Sequence, residues 1–195
     1  MDIIERLAVI KNDVERANGF SQFSYEFYDI MKKMQKLSYC IPSVKTYEMI
    51  YNYMRDNDLT TILSIGSGSG FFELHLQDYL NLKNLPCDII ASDIVLSETQ
   101  YMPIEQIDAE SATEKYKNID ILLIPFPEYN KDWAYNALKK FKGDSVIYIG
   151  EGRGGCTADD QFHEYLDKEF EEISRDHMLQ FNGYHIGIFI NKRKL

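Results

Sequence analysis

The tract that most restricts the folding of this chain runs over residues 61–80. A short β-branched run, Thr61-Ile62-Leu63-Ser64-Ile65, ends in Gly66-Ser67-Gly68-Ser69-Gly70 and passes straight into apolar positions at Phe71, Leu74, Leu76, Tyr79 and Leu80. Alternating glycines let the backbone turn sharply and approach a ligand with no Cβ between them. The helix that follows offers free N–H groups and a partial positive charge at its first turn, which suits an anionic moiety. Strand, glycine turn and helix form the opening of a crossover unit, and the chain downstream repeats that alternation.

Residues 88–93 read as a second strand and residues 105–108 as a short third, followed by a polar helix to about residue 117. Residues 119–124 (Ile-Asp-Ile-Leu-Leu-Ile) show no alternation, which marks a strand buried on both faces. Pro125-Phe126-Pro127-Glu128-Tyr129 stops it before a helix over residues 133–141. Residues 144–149 form a fifth strand, and Gly150-Glu151-Gly152-Arg153-Gly154-Gly155 a glycine-rich loop. Thr157, with Asp160 three residues on, resembles a capping box opening a helix to about residue 170. Two last strands fall around residues 172–177 and 184–191, with only residues 178–183 between them. Helices between strands predict an α/β fold with a doubly wound, mostly parallel seven-stranded sheet. The final pair, lacking a crossover helix, is predicted to close as a C-terminal antiparallel hairpin.

The first 57 residues read as helical and are expected to form an N-terminal extension (1–57) ahead of the main domain (58–195). Ile3, Ile4, Leu7, Ile10 and Val14 recur at helical steps, as do Phe20, Phe23, Phe27, Ile30, Met31, Met34 and Leu37. Ser43 is placed to cap a third helix carrying Val44, Tyr47, Ile50, Tyr51 and Met54. The dense aromatics of this region either pack the helices on the sheet or line a cleft as a lid.

Composition bounds the function. The 195 residues are 45% apolar and 27% charged, ample for a core without disulfides. No apolar run approaches the roughly 20 residues of a membrane span, and charges interrupt residues 1–15 too often for a secretory signal. Cys40, Cys87 and Cys156 lie far apart, and the four histidines show no metal-ligand spacing, so reduced thiols, no metal and a cytoplasmic location are expected. The net charge of −10 gives nucleic acid no general attraction, although Lys32-Lys33-Lys36 and Lys139-Lys140-Lys142 keep RNA open. Nothing in the sequence fixes an oligomeric state.

The glycine tract narrows the ligand. A dinucleotide fingerprint needs glycine where Phe71 stands, which weakens a nicotinamide-dependent oxidoreductase, and a P-loop needs Gly-Lys-Ser/Thr. Asp93 ends the second strand, on the edge where ligands of open α/β sheets sit, and a carboxylate there can accept from both hydroxyls of a ribose. Asp108 ends the third strand and serves either as a ligand contact or as the N-cap of the next helix. Glycines around Arg153 leave its guanidinium able to reach a carboxylate or phosphate, and Glu151 is a candidate general base or amine-binding carboxylate.

The G-x-G-x-G spacing with Asp93 resembles the class I S-adenosylmethionine-dependent methyltransferases, over residues 43–195. The resemblance implies a Rossmann-like fold with S-adenosylmethionine as cofactor. Gly66, Gly68 and Gly70 then shape the pocket for its methionine part, Asp93 holds the ribose, and Asp108 meets the adenine. Pro125 joins the cofactor wall, while Glu128, Tyr129 and Glu151 face the methyl acceptor with Arg153 as a substrate contact. Two departures stand out. Ser64 occupies a position where the family usually carries Asp or Glu to help hold the cofactor's ammonium. Phe126-Pro127-Glu128-Tyr129 replaces the Asp/Asn/Ser-Pro-Pro-aromatic of amino-methylating members. The expected function is methyl transfer to an unidentified acceptor, a small molecule or protein before RNA; the alternative is a cofactor-binding scaffold without activity.

Overall fold

The computed structural model describes residues 42–177 and 184–195, together with Val9, Asn12, Lys32 and Ser38. The helices expected over residues 3–14 and 20–37, and the connection 178–183, lie almost wholly outside the described residues.

Seven strands form one sheet: β1 (Thr61–Ile65), β2 (Asp88–Asp93), β3 (Ile104–Gln106), β4 (Ile121–Pro125), β5 (Ser145–Gly150), β6 (Phe170–His177) and β7 (His185–Asn191). Their order is β3-β2-β1-β4-β5-β7-β6. The five strands from β3 to β5 are parallel, and β7 runs antiparallel to both β5 and β6. The expected doubly wound sheet and terminal hairpin are both present, with β7 inserted between β5 and β6.

Among the described residues, five α-helices cover the sheet: α1 (Val44–Asp56), α2 (Phe71–Leu82), α3 (Ala109–Lys115), α4 (Trp133–Lys140) and α5 (Asp160–Glu169). Successive side chains of a strand point to opposite faces. Ile62 of β1, Ile121 and Leu123 of β4 and Ile147 and Ile149 of β5 therefore pack with α1 and α2. Leu63, Ile65, Leu122, Ile124 and Val146 pack on the other face with α3, α4 and α5. Both faces are covered, so every residue of β4 is buried and its unbroken apolar run follows.

Ser43 caps α1 in a capping box with Thr46, whose hydroxyl also donates to the buried Asp176 of β6 at 2.8 Å. Tyr47 stacks on Tyr79 at 5.9 Å between centroids, so in α1 the aromatics pack the core. At the opposite edge, Asp120 Oδ2 accepts from the Thr60 and Thr61 N–H groups and the Thr61 hydroxyl, at 2.8–2.9 Å, while Thr61 Oγ1 accepts from Asp120 N–H. That reciprocal clamp fixes the relative start of β1 and β4.

Two boundaries near the site differ from expectation. β3 ends at Gln106, so Asp108 lies beyond the strand as the N-cap of α3. The last helix opens at Asp160 with Asp159 as N-cap, its carboxylate accepting from Phe162 N–H at 2.7 Å. Thr157 is unavailable as a cap. It forms an antiparallel bridge with Glu128, and its hydroxyl accepts from Glu151 N–H and bonds the Tyr148 hydroxyl.

Candidate functional site

A cavity of about 770 Å³ opens at the carboxyl ends of β1, β2 and β4. Its floor is the glycine turn. Gly66, Gly68 and Gly70 have φ of +76°, +58° and +71°, the left-handed region in which L side chains are strained. The turn hangs from β2, because Gly66 and Ser67 N–H both donate to Ser92 O at 2.9 and 3.0 Å. At its tip, Gly68 N–H donates to Asp93 Oδ2 at 2.8 Å, and the other carboxylate oxygen accepts from Val95 N–H at 3.0 Å. A Cβ added at Gly68 would meet nothing within 4 Å, so the tip faces open space. Gly70 serves differently: it is the N-cap of α2, and a Cβ there would lie 2.8 Å from Met102 Cγ.

Beneath the turn, Ser64 Oγ donates to Glu73 Oε1 at 2.6 Å. Glu73 lines the cavity while only 1% exposed, and its Oε2 has no hydrogen bond among the described residues. Burial pushes its pKa up from 4.5 to about 7. The Ser64 hydroxyl, its own helix N-terminal backbone and Ser67 pull the other way, and the Asp93 charge adds to the rise.

The wall opposite comes from the segment after β4. Phe126 has φ +48°, held by its N–H donating to Ile149 O at 2.8 Å, and its ring meets Tyr184 edge-on at 4.9 Å. Pro127 O accepts from Ala158 N–H at 2.8 Å, which, with the Glu128–Thr157 bridge, ties this wall to the loop after β5. Glu128 Oε2 accepts from the Trp133 indole N–H at 2.6 Å. The far edge of that indole packs under the turn, where a Cβ at Gly66 would lie 3.1 Å from Trp133 Cη2.

No protein-family model and no curated protein sequence matches the chain. The solved structures similar to it include three at 12% identity. One is the CMeT domain of the citrinin polyketide synthase, with a TM-score of 0.54 over 86% of this chain and 57% of that one. Another is SibL, an S-adenosylmethionine-dependent methyltransferase in its apo form, with a TM-score of 0.52 over 91% and 61%. The third is a Listeria monocytogenes protein provisionally named a class I S-adenosylmethionine-dependent methyltransferase, with a TM-score of 0.51 over 75% and 58%. The chain thus spans about 57–61% of the length of these structures.

The fold is the Rossmann-like methyltransferase fold.

Within that fold, Gly66, Gly68, Asp93, Asp108, Pro125, Glu128 and Tyr129 line one cavity. Ser64 reaches it only through Glu73. Asp108 is the N-cap of α3, its carboxylate accepting from Ser111 N–H at 2.9 Å, and that bond holds its pKa below the usual carboxylate range. Glu151 and Arg153 are not brought to the cavity. The Glu151 carboxylate turns back to accept from Cys156 N–H, and Arg153 pairs with Glu164 at 3.1 Å beside a second cavity of about 340 Å³.

Sequence reasoning missed Glu73 and Trp133. The signal for Glu73 was available: it lies on the apolar stripe of α2, three residues before Leu76 and seven before Leu80, where a carboxylate must be buried. Trp133 is the only tryptophan of the chain and opens the helix after the β4 stop, but nothing in the spacing told its indole to reach back to Glu128. Electrostatically, the cavity carries Glu73, Asp93, Asp108 and Glu128 and, among the described residues, no Lys, Arg or His. It suits a neutral or cationic ligand and repels a polyanion. No group of His, Cys, Asp and Glu among the described residues is arranged to hold a metal. No helix among them is long and apolar enough to cross a membrane.

Proposed function

We propose that the chain is a methyltransferase that binds S-adenosylmethionine over the Gly66–Gly70 turn and delivers its methyl group to an acceptor at the Phe126–Tyr129 wall. The observation that carries this reading is the Gly68–Asp93 pair, which sets an open backbone cradle beside a carboxylate on the ligand-binding edge of the sheet. The cavity residues fit the cofactor: the tip of the turn leaves room for an amino-acid tail, and the lining carries negative charge against a sulfonium and an ammonium. Bound there, the cofactor supplies a methyl group already activated on sulfur, so the protein's work is orientation and exclusion of water.

The roles follow from position. Asp93 accepts from the ribose hydroxyls, Asp108 stands at the adenine end, and Pro125 closes the wall of the cofactor site. Trp133 fixes Glu128 by one hydrogen bond, and Glu128 in turn orients an acceptor N–H or O–H. Tyr129, half exposed at the rim, stacks on a flat or cationic group. Glu151 shapes the loop that carries Cys156 and Thr157 rather than acting as a base. The acidic lining favours a small molecule or a protein side chain over RNA, whose phosphates would find no cation among the described lining residues.

Thermal melting with S-adenosylmethionine, S-adenosylhomocysteine and NAD tests the cofactor assignment, since a ligand that binds only the folded state raises the melting temperature. Stabilisation by the first two and not by NAD supports it; the reverse points to an oxidoreductase. Release of labelled methyl groups into cell extracts then separates an enzyme from a binding scaffold.

A further inference from the structure

Glu73 is a buried ionisable group with no counter-charge among the described residues. Its Oε1 is fixed by the Ser64 hydroxyl, its Oε2 is buried without a hydrogen bond among the described residues, and the side chain lines the cavity under the glycine turn. The described elements around it offer neutral or like-charged groups. β1 presents Ser64, the turn presents Ser67, and β2 presents Asp93. The segment after β4 brings Glu128 to the same cavity, and the start of α3 brings Asp108. On α2 itself, His75 is buried with Nδ1 against Phe71 O at 2.7 Å. A buried carboxylate in such company is costly when ionised. Among the described residues no cation relieves it, and a ligand that carries one would.

We propose that Glu73, oriented by Ser64, binds the ammonium group of the ligand's amino-acid tail, and that its entry expels the proton the carboxylate holds in the free protein. The inference rests on the cofactor reading and deepens it: a strand position that cannot supply charge is served by a carboxylate from the adjoining helix. The balance is simple. The neutral carboxyl loses H⁺ to solvent, and the carboxylate and the ammonium form a charge-assisted pair without any bond being made or broken on the ligand. With the free carboxyl titrating at about 7, affinity rises as pH climbs toward that value and levels off above it.

Isothermal calorimetry on the full chain at pH 6, 7 and 8.5, in two buffers of different ionisation enthalpy, tests this. The probes are S-adenosylhomocysteine and 5′-methylthioadenosine, which lacks the amino-acid tail. For S-adenosylhomocysteine we expect close to one proton released at pH 6, nearly none at pH 8.5, and affinity about tenfold tighter at the higher pH. The tail-less ligand binds with no proton release and a flat pH profile. Glu73→Gln weakens S-adenosylhomocysteine about tenfold or more, abolishes its pH dependence, and leaves 5′-methylthioadenosine within about twofold. Proton-free binding of S-adenosylhomocysteine, with Glu73→Gln unchanged, overturns the inference and leaves the cofactor reading standing. Equal loss of both ligands in Glu73→Gln also overturns it, by assigning the carboxylate to the cavity's shape. Failure of both ligands to bind the wild-type chain overturns the cofactor reading, and the inference with it.

Discussion

The backbone N–H of Gly68 and the Asp93 carboxylate, 25 residues apart, meet at 2.8 Å, so the tip of the glycine turn and the end of β2 form one rim. Asp93 holds the turn, and in the proposed function it also meets the ligand. Asp93→Ala is expected to weaken S-adenosylhomocysteine binding by about 1.5–3 kcal/mol, roughly 10- to 150-fold, as for other hydrogen bonds to a charged group. Asp93→Asn keeps one acceptor and falls between. Calorimetric titration of the three proteins checks the ranking.

Gly68 and Gly70 both have positive φ but differ in what surrounds them. Gly68→Ala adds a methyl group to open space, so its stability loss is limited to the left-handed strain of about 1–2 kcal/mol, while the cofactor cradle is filled. Gly70→Ala adds a 2.8 Å contact with Met102 Cγ to the same strain and is expected to destabilise more. Urea unfolding with parallel ligand binding separates them: Gly68→Ala is the stabler variant and the poorer binder.

Glu73 makes the stability of the free protein pH-dependent. Its folded pKa, raised from 4.5 to about 7, means the fold favours the protonated form. That contribution is complete below about pH 4.5 and is lost as pH rises through 7, which for a shift of this size is on the order of 3 kcal/mol. Relative to Glu73→Gln, which has no proton to lose, the wild type is expected to lose stability between pH 5 and pH 8. Chemical denaturation at three pH values measures the difference.

Trp133 links the floor of the cavity to the wall of residues 126–129. Trp133→Phe removes the indole N–H that fixes Glu128 while keeping a ring in contact with Gly66. Cofactor affinity is expected to stay within about threefold and methyl transfer to fall about tenfold or more, the cost of a misplaced orienting group. The methyl-release assay on a responsive extract reads the split.

Asp120 is a stability position far from the cavity. Asp120→Ala leaves the N–H groups of Thr60 and Thr61 without their acceptor and is expected to cost about 2–4 kcal/mol of unfolding free energy with ligand affinity unchanged.

The parts of the molecule legible in the sequence are those governed by periodicity and local backbone chemistry. Ser43 before Val44 announced α1, the unbroken apolar run announced β4, and the short gap after His177 announced an antiparallel closure. The glycine turn and Asp93 were legible for the same reason, because φ above zero and a strand-end carboxylate are local demands. What escaped was decided by tertiary contacts. Thr157 had the spacing of a cap but spends its hydroxyl on Glu151 and Tyr148. Arg153 had the freedom of a glycine-flanked side chain but found Glu164. Ser64 read as a missing charge, and the 2.6 Å approach of the Glu73 carboxyl from the next helix was not legible in the spacing.

A crystal structure of the chain grown with S-adenosylhomocysteine tests the central claim most directly. Density is expected for the amino-acid tail above Gly68, with the ammonium against Glu73 Oε2 and both ribose hydroxyls on Asp93. Density for the ligand elsewhere, or a turn whose Gly68–Asp93 hydrogen bond closes over an empty cradle at saturating ligand, would contradict it.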